Sequence, residues 1–332
     1  PLPNRAGVIN NFRFNPVYPL QEDKFDARVD HHFSARDMVF VRASYQWSNF
    51  LQSMNLPAPA FGGSATALDN DSRSWAFSHT HIFSGSMFNT LRLGYNQLLT
   101  NRTAPDDIPY NRELGLSGLP FDIPGLASFS ISGFRGLGTM TGNPNRTDSQ
   151  VRQLKDDLSW VRGKHTLKTG VSLTWPQSPQ IHYYQANGVF TFNGNFTRQS
   201  SNNQDGFAPA DLLLGIPFQS QLSSRADSAL RRRLYHAYVQ DEFKATARLI
   251  VTLGLRYEYG GPWFDKYNHL SNFDIDTDRA NPRLLLAADG GTEARSTVKP
   301  DYLNFAPRVG VAYRVGNQTV IRSGYGIYYG GV

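Results

Sequence analysis

The sequence predicts an all-β fold, an antiparallel up-and-down transmembrane β-barrel present in part, with about ten long strands. Three observations predict it. Apolar and polar residues alternate with a period of two over long stretches. These stretches run to roughly 10–13 residues, where ordinary globular strands average about 5–6 and a tilted strand needs about 9–11 to cross a bilayer. Their connections are alternately very short and very long, as in a barrel with short periplasmic turns and long extracellular loops.

Residues 1–23 form a leading segment, and strands follow from about residue 24 to about residue 329. The first hairpin, 24–34 and 38–48, turns at Ser34-Ala35-Arg36-Asp37. In its second strand Val39, Val41, Ala43, Tyr45 and Trp47 oppose Arg42, Ser44 and Gln46. The second hairpin, 72–83 and 87–99, turns at Ser84-Gly85-Ser86. The third, 149–161 and 164–176, turns at Arg162-Gly163-Lys164. There His165, Leu167, Thr169, Val171, Leu173 and Trp175 share one face, and Lys168, Gly170, Ser172 and Thr174 the other. The fourth, 232–244 and 248–260, turns at Ala245-Thr246-Ala247-Arg248; Leu249, Val251, Leu253, Leu255, Tyr257 and Tyr259 make its apolar face. The fifth, 305–315 and 318–329, turns at Gly316-Asn317-Gln318, with Val309, Val311 and Tyr313 opposing Arg308, Gly310 and Arg314. A helical stripe would recur every three to four residues instead.

Between the hairpins lie segments of about 49–71, 101–148, 177–231 and 261–304, rich in Asn, Asp, Gly, Pro and Ser. Such loops count against a compact soluble domain, but a barrel can carry them on one rim. Val189-Phe190-Thr191-Phe192 also alternates, which predicts a shorter strand pair inside the third loop.

Composition agrees. Of 332 residues, 13% are aromatic, with 16 Tyr and 22 Phe, and only 18% are charged. A disordered tail would lack the aromatics. Mean hydropathy is −0.43, and no run approaches the roughly 20 apolar residues of a spanning helix. The chain has no cysteine, which excludes disulfides and thiolate chemistry. Its net charge of +6 is spread along the sequence, so no nucleic-acid partner is expected. Aromatics gather at both predicted strand ends. Trp47, Trp175, Tyr257, Tyr259, Tyr328 and Tyr329 lie toward the long loops, and Phe33, Phe83, Phe88, Trp160 and Phe243 toward the short turns. Two such belts match interfacial girdles. Arg42, Arg92, Lys168, Arg256, Glu258, Arg308 and Arg314 would be costly in lipid, so they are expected to face the lumen. Outer-membrane lipid and lipopolysaccharide are the expected surroundings. The chain opens on Pro1-Leu2-Pro3 and ends within a strand at Tyr328-Tyr329-Gly330-Gly331-Val332, which suggests an internal piece of a larger protein.

Three stretches carry a family resemblance. They are Phe25-Asp26-Ala27-Arg28-Val29-Asp30-His31-His32-Phe33-Ser34 with Phe40-Val41-Arg42-Ala43-Ser44-Tyr45; Tyr238-Val239-Gln240-Asp241-Glu242-Phe243-Lys244 with Leu253-Gly254-Leu255-Arg256-Tyr257-Glu258-Tyr259; and Phe305-Ala306-Pro307-Arg308-Val309-Gly310-Val311-Ala312-Tyr313 with Arg322-Ser323-Gly324-Tyr325-Gly326-Ile327-Tyr328-Tyr329. Together, and with Ala210-Asp211-Leu212-Leu213-Leu214-Gly215, they resemble the barrel of Oar-like TonB-dependent receptors of Gram-negative bacteria. The resemblance runs from about residue 21 to residue 329, and the Gln-Asp-x-x-Lys plus Gly-Leu-Arg-Tyr pair is its most specific part. It implies a barrel of roughly 22 strands with a plugged lumen. It also implies ligand uptake across the cell outer membrane, driven through the TonB system. Residues 1–332 would then be a single barrel segment of a larger receptor, with plug and terminal strands missing from the sequence.

Candidate chemistry is sparse. Asp274, Asp276 and Asp278 alternate and can converge on a hard cation, so a structural calcium is the one cofactor suggested. An EF-hand needs Gly and Glu where Arg279 and Leu285 stand, and a solvated acidic loop is the plainer reading. His79 and His81 share a strand face and could share a metal, but no third ligand is evident. His31-His32 point apart. Arg231-Arg232-Arg233 at the long-loop rim suits lipopolysaccharide phosphates or simple solvation. The adjacent pairs Asp106-Asp107 and Asp156-Asp157 make poor acid/base partners, and no nucleophile elbow, His-Glu-x-x-His, P-loop or dinucleotide fingerprint occurs, so an enzyme is not expected. Trp263, Phe264 and Tyr267 on the last long loop are candidates for ligand contact. The alternative is a secreted or surface β-protein, a propeller or sandwich acting as adhesin or carbohydrate binder; no fixed internal repeat supports it.

Overall fold

The computed structural model describes residues 2–7, 10–52, 54–119, 122–200, 205–275, 278–287 and 292–330. Ten strands form one sheet: β1 (Leu20–His32), β2 (Asp37–Gln52), β3 (Thr66–Ser84), β4 (Met87–Thr103), β5 (Asn145–Arg162), β6 (His165–His182), β7 (Leu234–Lys244), β8 (Leu249–Gly260), β9 (Phe305–Arg314) and β10 (Val320–Gly326); the first nine are long, and β10, with 7 residues, is shorter than the expected 318–329. Each pairs antiparallel with its neighbour in sequence, which is the up-and-down topology that alternation and turn spacing predict. Two short loop segments, Ala226–Arg231 and Phe264–Asp265, extend the sheet beside the long-loop end of β6. Among the described residues β1 and β10 are not paired with each other, so the wall is open.

Polar side chains close the tight turns. The Ser34 hydroxyl accepts the N–H groups of Arg36 and Asp37, both at 3.0 Å. The Thr246 hydroxyl does the same for Arg248 at 3.1 Å and Leu249 at 3.0 Å. Short hydroxyl side chains satisfy turn donors in this way without needing a partner from elsewhere.

The register carries the alternation across the whole wall. Val29, Val41, Phe77, Leu93, Leu154, Leu173, Tyr235 and Tyr259 stand side by side on one face. On the opposite face Ser78, Arg92, Lys155, Ser172, His236 and Glu258 form the matching row. A slip of one residue in any pair would send its apolar set to the polar side, so these rows fix the register. Phe88 departs from the expected girdle: it pairs with Ser159 and lies on the polar face. Its even position, not its aromatic character, sets its side.

The strands differ from expectation mainly at the long-loop end, where β2 to β6 run several residues further. Asn70, Asp71, Asn101 and Asp148 continue the pairing there. Backbone pairing needs no apolar alternation once a strand has left the bilayer, so the period of two stops before the strand does. Val189–Phe192 is a strand as its alternation predicts. It pairs in parallel with Ser128–Ile131 of the second long loop and antiparallel with Gln219–Gln221 of the third.

Most of the buried apolar residues lie in the loops, with Ala306 of β9 and Leu68 of β3 the exceptions in the wall. Phe61, Ala65, Tyr110 and Leu126 form one cluster; Ile131, Phe192 and Ala208 form a second, joined to the first through Phe129. Gly138 carries the contact between the first two loops. Its N–H donates to the Ala60 carbonyl at 2.7 Å, its φ is +95°, and a Cβ there would stand 2.0 Å from the Ala127 carbonyl oxygen. Only glycine fits that place.

Candidate functional site

The polar face of the wall concentrates charge at its centre. Asp157 of β5 accepts Arg92 Nη1 at 2.7 Å and the Tyr238 hydroxyl at 2.8 Å, tying β4, β5 and β7 together. Its neighbour Asp156 points to the other face and accepts Asn89 Nδ2 at 2.7 Å, so the adjacent carboxylates are separated as alternation requires. On β8 Arg256 Nε lies 2.5 Å from Glu258 Oε1. Arg92, Lys155, Asp157, His236, Tyr238 and Arg256 line a cavity of about 160 Å³. Among the described residues, the buried His236 Nδ1 and Arg308 Nε have no hydrogen-bond partner. The Arg308 guanidinium lies 4.6 Å from the Tyr328 ring. Arg92, Lys155, Arg256 and Arg308 outnumber Asp157 and Glu258, so this face carries surplus positive charge. Such a surplus attracts carboxylates and other anions.

The long-loop rim is knitted by side chains. Asn111, nearly buried, donates to the Asn187 carbonyl at 3.2 Å and accepts the Ala127 N–H at 2.7 Å. Asn143 Nδ2 donates to the Thr103 carbonyl at 2.9 Å, and its amide oxygen accepts the Thr66 hydroxyl at 3.1 Å. Burial together with a hydrogen bond to Asp106 pushes the Tyr110 hydroxyl up to about 12. These loops therefore form a packed cap rather than free strings.

The last loop is anchored by Asp265, whose side chain is fully buried. Its carboxylate accepts the N–H groups of Ala229, Tyr267 at 2.7 Å and His269 at 3.3 Å. Burial alone would raise its pKa, but these backbone donors outweigh it and hold the carboxyl below its ordinary value. Asp265 carries no motif. Its role follows from Phe264 and Asp265 pairing with Leu230 and Arg231, a contact between distant loops.

The three loop aromatics divide. Trp263 is 38% exposed and Tyr267 54%, whereas Phe264 is 6% exposed and packs under the Arg233 and Arg295 guanidinium groups at 5.8 and 5.4 Å. Trp263 and Tyr267 are exposed on the loop surface; Phe264 belongs to the base of the loop. The arginine run serves the same base: Arg232 Nε donates to the Gly261 carbonyl at 2.6 Å and lies 5.8 Å from the Trp263 ring.

The acidic run is not assembled into a site by the described residues. Asp274 closes a short strand opposite Arg283, and Asp276 lies outside the described residues. The Asp278 carboxylate accepts Asn281 Nδ2 at 3.1 Å and the Ala280 N–H at 2.9 Å, within its own turn. Those bonds, the one from the Asn281 side chain foremost, lower its pKa. His79 and His81 do gain a third partner, Asp37, through the pairing of β2 with β3. Sequence reading missed it because the carboxylate lies across a strand pair; counting residues outward from both flanking turns would have found it.

The family profile described as outer membrane beta barrel domain matches residues 1–332. No curated protein sequence matches the chain at a significant level. Among solved structures the chain is similar to the pyoverdine outer membrane receptor FpvA of Pseudomonas aeruginosa, with a TM-score of 0.51 at 12% identity, covering 92% of this chain and 38% of that one. It is also similar to the siderophore receptor PiuA of Acinetobacter baumannii, with a TM-score of 0.50 at 12% identity, covering 97% of this chain and 43% of that one. These likenesses are of fold. The chain spans between 34% and 43% of the length of such receptors.

Proposed function

The chain belongs to the outer membrane β-barrel domain family and so lies in the cell outer membrane, and on that premise we propose that it is the barrel wall of an Oar-like TonB-dependent receptor that takes up a ligand. The observation that carries this reading is the charged inner face. Its surplus of cations around Arg92, Lys155 and Arg256 suits a lumen filled by a plug with acidic groups better than an open water channel. The knitted loops support the receptor half of the reading, since a packed rim presents a defined surface with Trp263 and Tyr267 exposed on it. Of the two solved receptors cited above, one is a siderophore receptor and the other is bound to pyoverdine, which supports a receptor role without naming this chain's ligand.

In this reading residues 1–332 are one barrel segment of a larger receptor. The open edges of β1 and β10 would each need a further strand, because lipid offers no partner for exposed N–H and C=O groups. The plug and the contact with TonB belong to other parts of the full protein.

A photo-crosslinking side chain at position 155 in the full-length protein tests the plug. Capture of a segment of the same protein outside residues 1–332 is expected; capture of nothing, in a folded barrel, would contradict it. The soluble carboxy-terminal part of TonB, immobilised on a column, should retain the full-length protein, and passage of the folded protein without retention would end the TonB half of the reading.

A further inference from the structure

The outward, apolar face carries an unexpected polar group beside the short turns. Asp37 opens β2, and His79 and His81 approach the end of β3. The register sets Asp37 directly opposite His81, and the period of two keeps His79 on the same face. Asp37 Oδ1 lies 2.6 Å from His81 Nδ1 and 3.2 Å from His79 Nε2. One ligand atom from each residue lies within 4.8 Å of the other two. Three donors bound at about 2.0–2.2 Å from one ion stand roughly 3.3–3.6 Å apart in tetrahedral geometry. The Asp37–His79 spacing already fits, and Asp37 and His81, now hydrogen-bonded, would part by about 1 Å to take an ion.

The carboxylate is also oriented from behind. Its second oxygen accepts the Ser34 hydroxyl at 2.9 Å, and that hydroxyl is fixed by the two N–H groups of the turn. A partner of this kind aims a ligand oxygen. Phe83 stands edge-on to the His81 ring at 4.6 Å and limits its rotation. The three side chains are about one-third exposed, at 32–36%, so an ion can reach them from the short-turn rim.

We propose that Asp37, His79 and His81 form a transition-metal site with two imidazoles and one carboxylate, leaving a coordination position for water or a ligand group. Two imidazoles favour Zn²⁺ or Cu²⁺; calcium and magnesium favour oxygen donors. The ion joins the β1–β2 turn to the hairpin of β3 and β4, and it neutralises a carboxylate on a face that otherwise meets lipid. His165 with Asp241, at 2.6 Å on the same face, is a single histidine–carboxylate pair and serves as the control.

The test uses the full-length protein purified in detergent and stripped with a chelator, with Zn²⁺ alone as titrant. One Zn²⁺ should bind, at least tenfold more weakly in His81→Gln and in Asp37→Asn, and unchanged in His165→Gln. Loaded with Cu²⁺, the wild type should show electron-paramagnetic couplings to two nitrogens, and His79→Gln to one. Should a variant fail to fold, the wild type still decides the matter: Zn²⁺ should protect His79 and His81 from diethylpyrocarbonate, read by mass spectrometry. Equal Zn²⁺ affinity in all three variants, or no protection of these two histidines in the wild type, would overturn the proposal.

Discussion

Gly170 and Tyr238 face each other across β6 and β7, and a Cβ at position 170 would stand 2.8 Å from the Tyr238 ring. The same Cβ would come within 2.6 Å of the Asp157 carboxylate and of the Asp156 carbonyl oxygen. The missing side chain lets the Tyr238 hydroxyl reach Asp157, so the glycine is part of the charged network on the inner face. Gly170→Ala should therefore destabilise the barrel by about 1–3 kcal/mol through overpacking. Denaturant unfolding in detergent measures this. A substitution at Gly316, where a Cβ meets nothing within 4 Å, is the neutral comparison.

Asp265 makes the base of the last loop sensitive to acid. Its folded pKa lies below the ordinary value, so its stabilising contribution is complete above about pH 3.9, the unfolded value. It is lost as pH falls through the folded value. Hydrogen exchange at Ala229, Tyr267 and His269 should be slow near neutrality and should quicken well below pH 3.9. Asp265→Ala should expose the same amides at all pH values, because three buried donors lose their acceptor at a cost of about 1–3 kcal/mol each.

Asn111 joins the second and third loops by side-chain bonds alone. Asn111→Ala leaves the Ala127 N–H unpaired and frees the Asn187 carbonyl, which should weaken the cap by about 1–3 kcal/mol. Limited proteolysis should then cut between residues 111 and 127 while the wall strands stay intact. Unchanged cleavage would mean that the apolar cluster around Phe61 and Leu126 and the pairing of Ser128–Ile131 with Val189–Phe192 hold the loops without it.

The wall was legible because each strand repeats one rule, and Leu249 to Tyr259 follow it with Ile250 the single apolar exception. The turns were legible because Ser34 and Thr246 are residues that satisfy turn donors locally. Legibility fell where contacts are long-range. Nothing local to Phe61, Asn143 or Asp265 announces that each is fully or almost fully buried, since each depends on a partner far off in sequence, Tyr110, Thr66 and Ala229 respectively. Phe264 and Trp263 are adjacent aromatics with opposite fates, decided by whether each meets the Leu230–Arg231 segment or solvent. Asp37 shows the same limit in the wall: its meeting with His79 and His81 depends on a register spanning more than 40 residues of sequence.

The account rests on one arrangement: odd-numbered residues of β8 meet lipid and even-numbered ones meet the lumen. Residues 1–332 contain no cysteine, so single cysteines placed in turn at positions 251 to 256 of the full-length protein in outer membranes report this directly once any cysteine elsewhere in it is replaced. A membrane-impermeant maleimide should label Thr252→Cys, Gly254→Cys and Arg256→Cys and leave Val251→Cys, Leu253→Cys and Leu255→Cys unreacted. A fluorophore at those three odd positions should be quenched by brominated lipid. Labelling without alternation, or quenching at the even positions instead, would contradict the account.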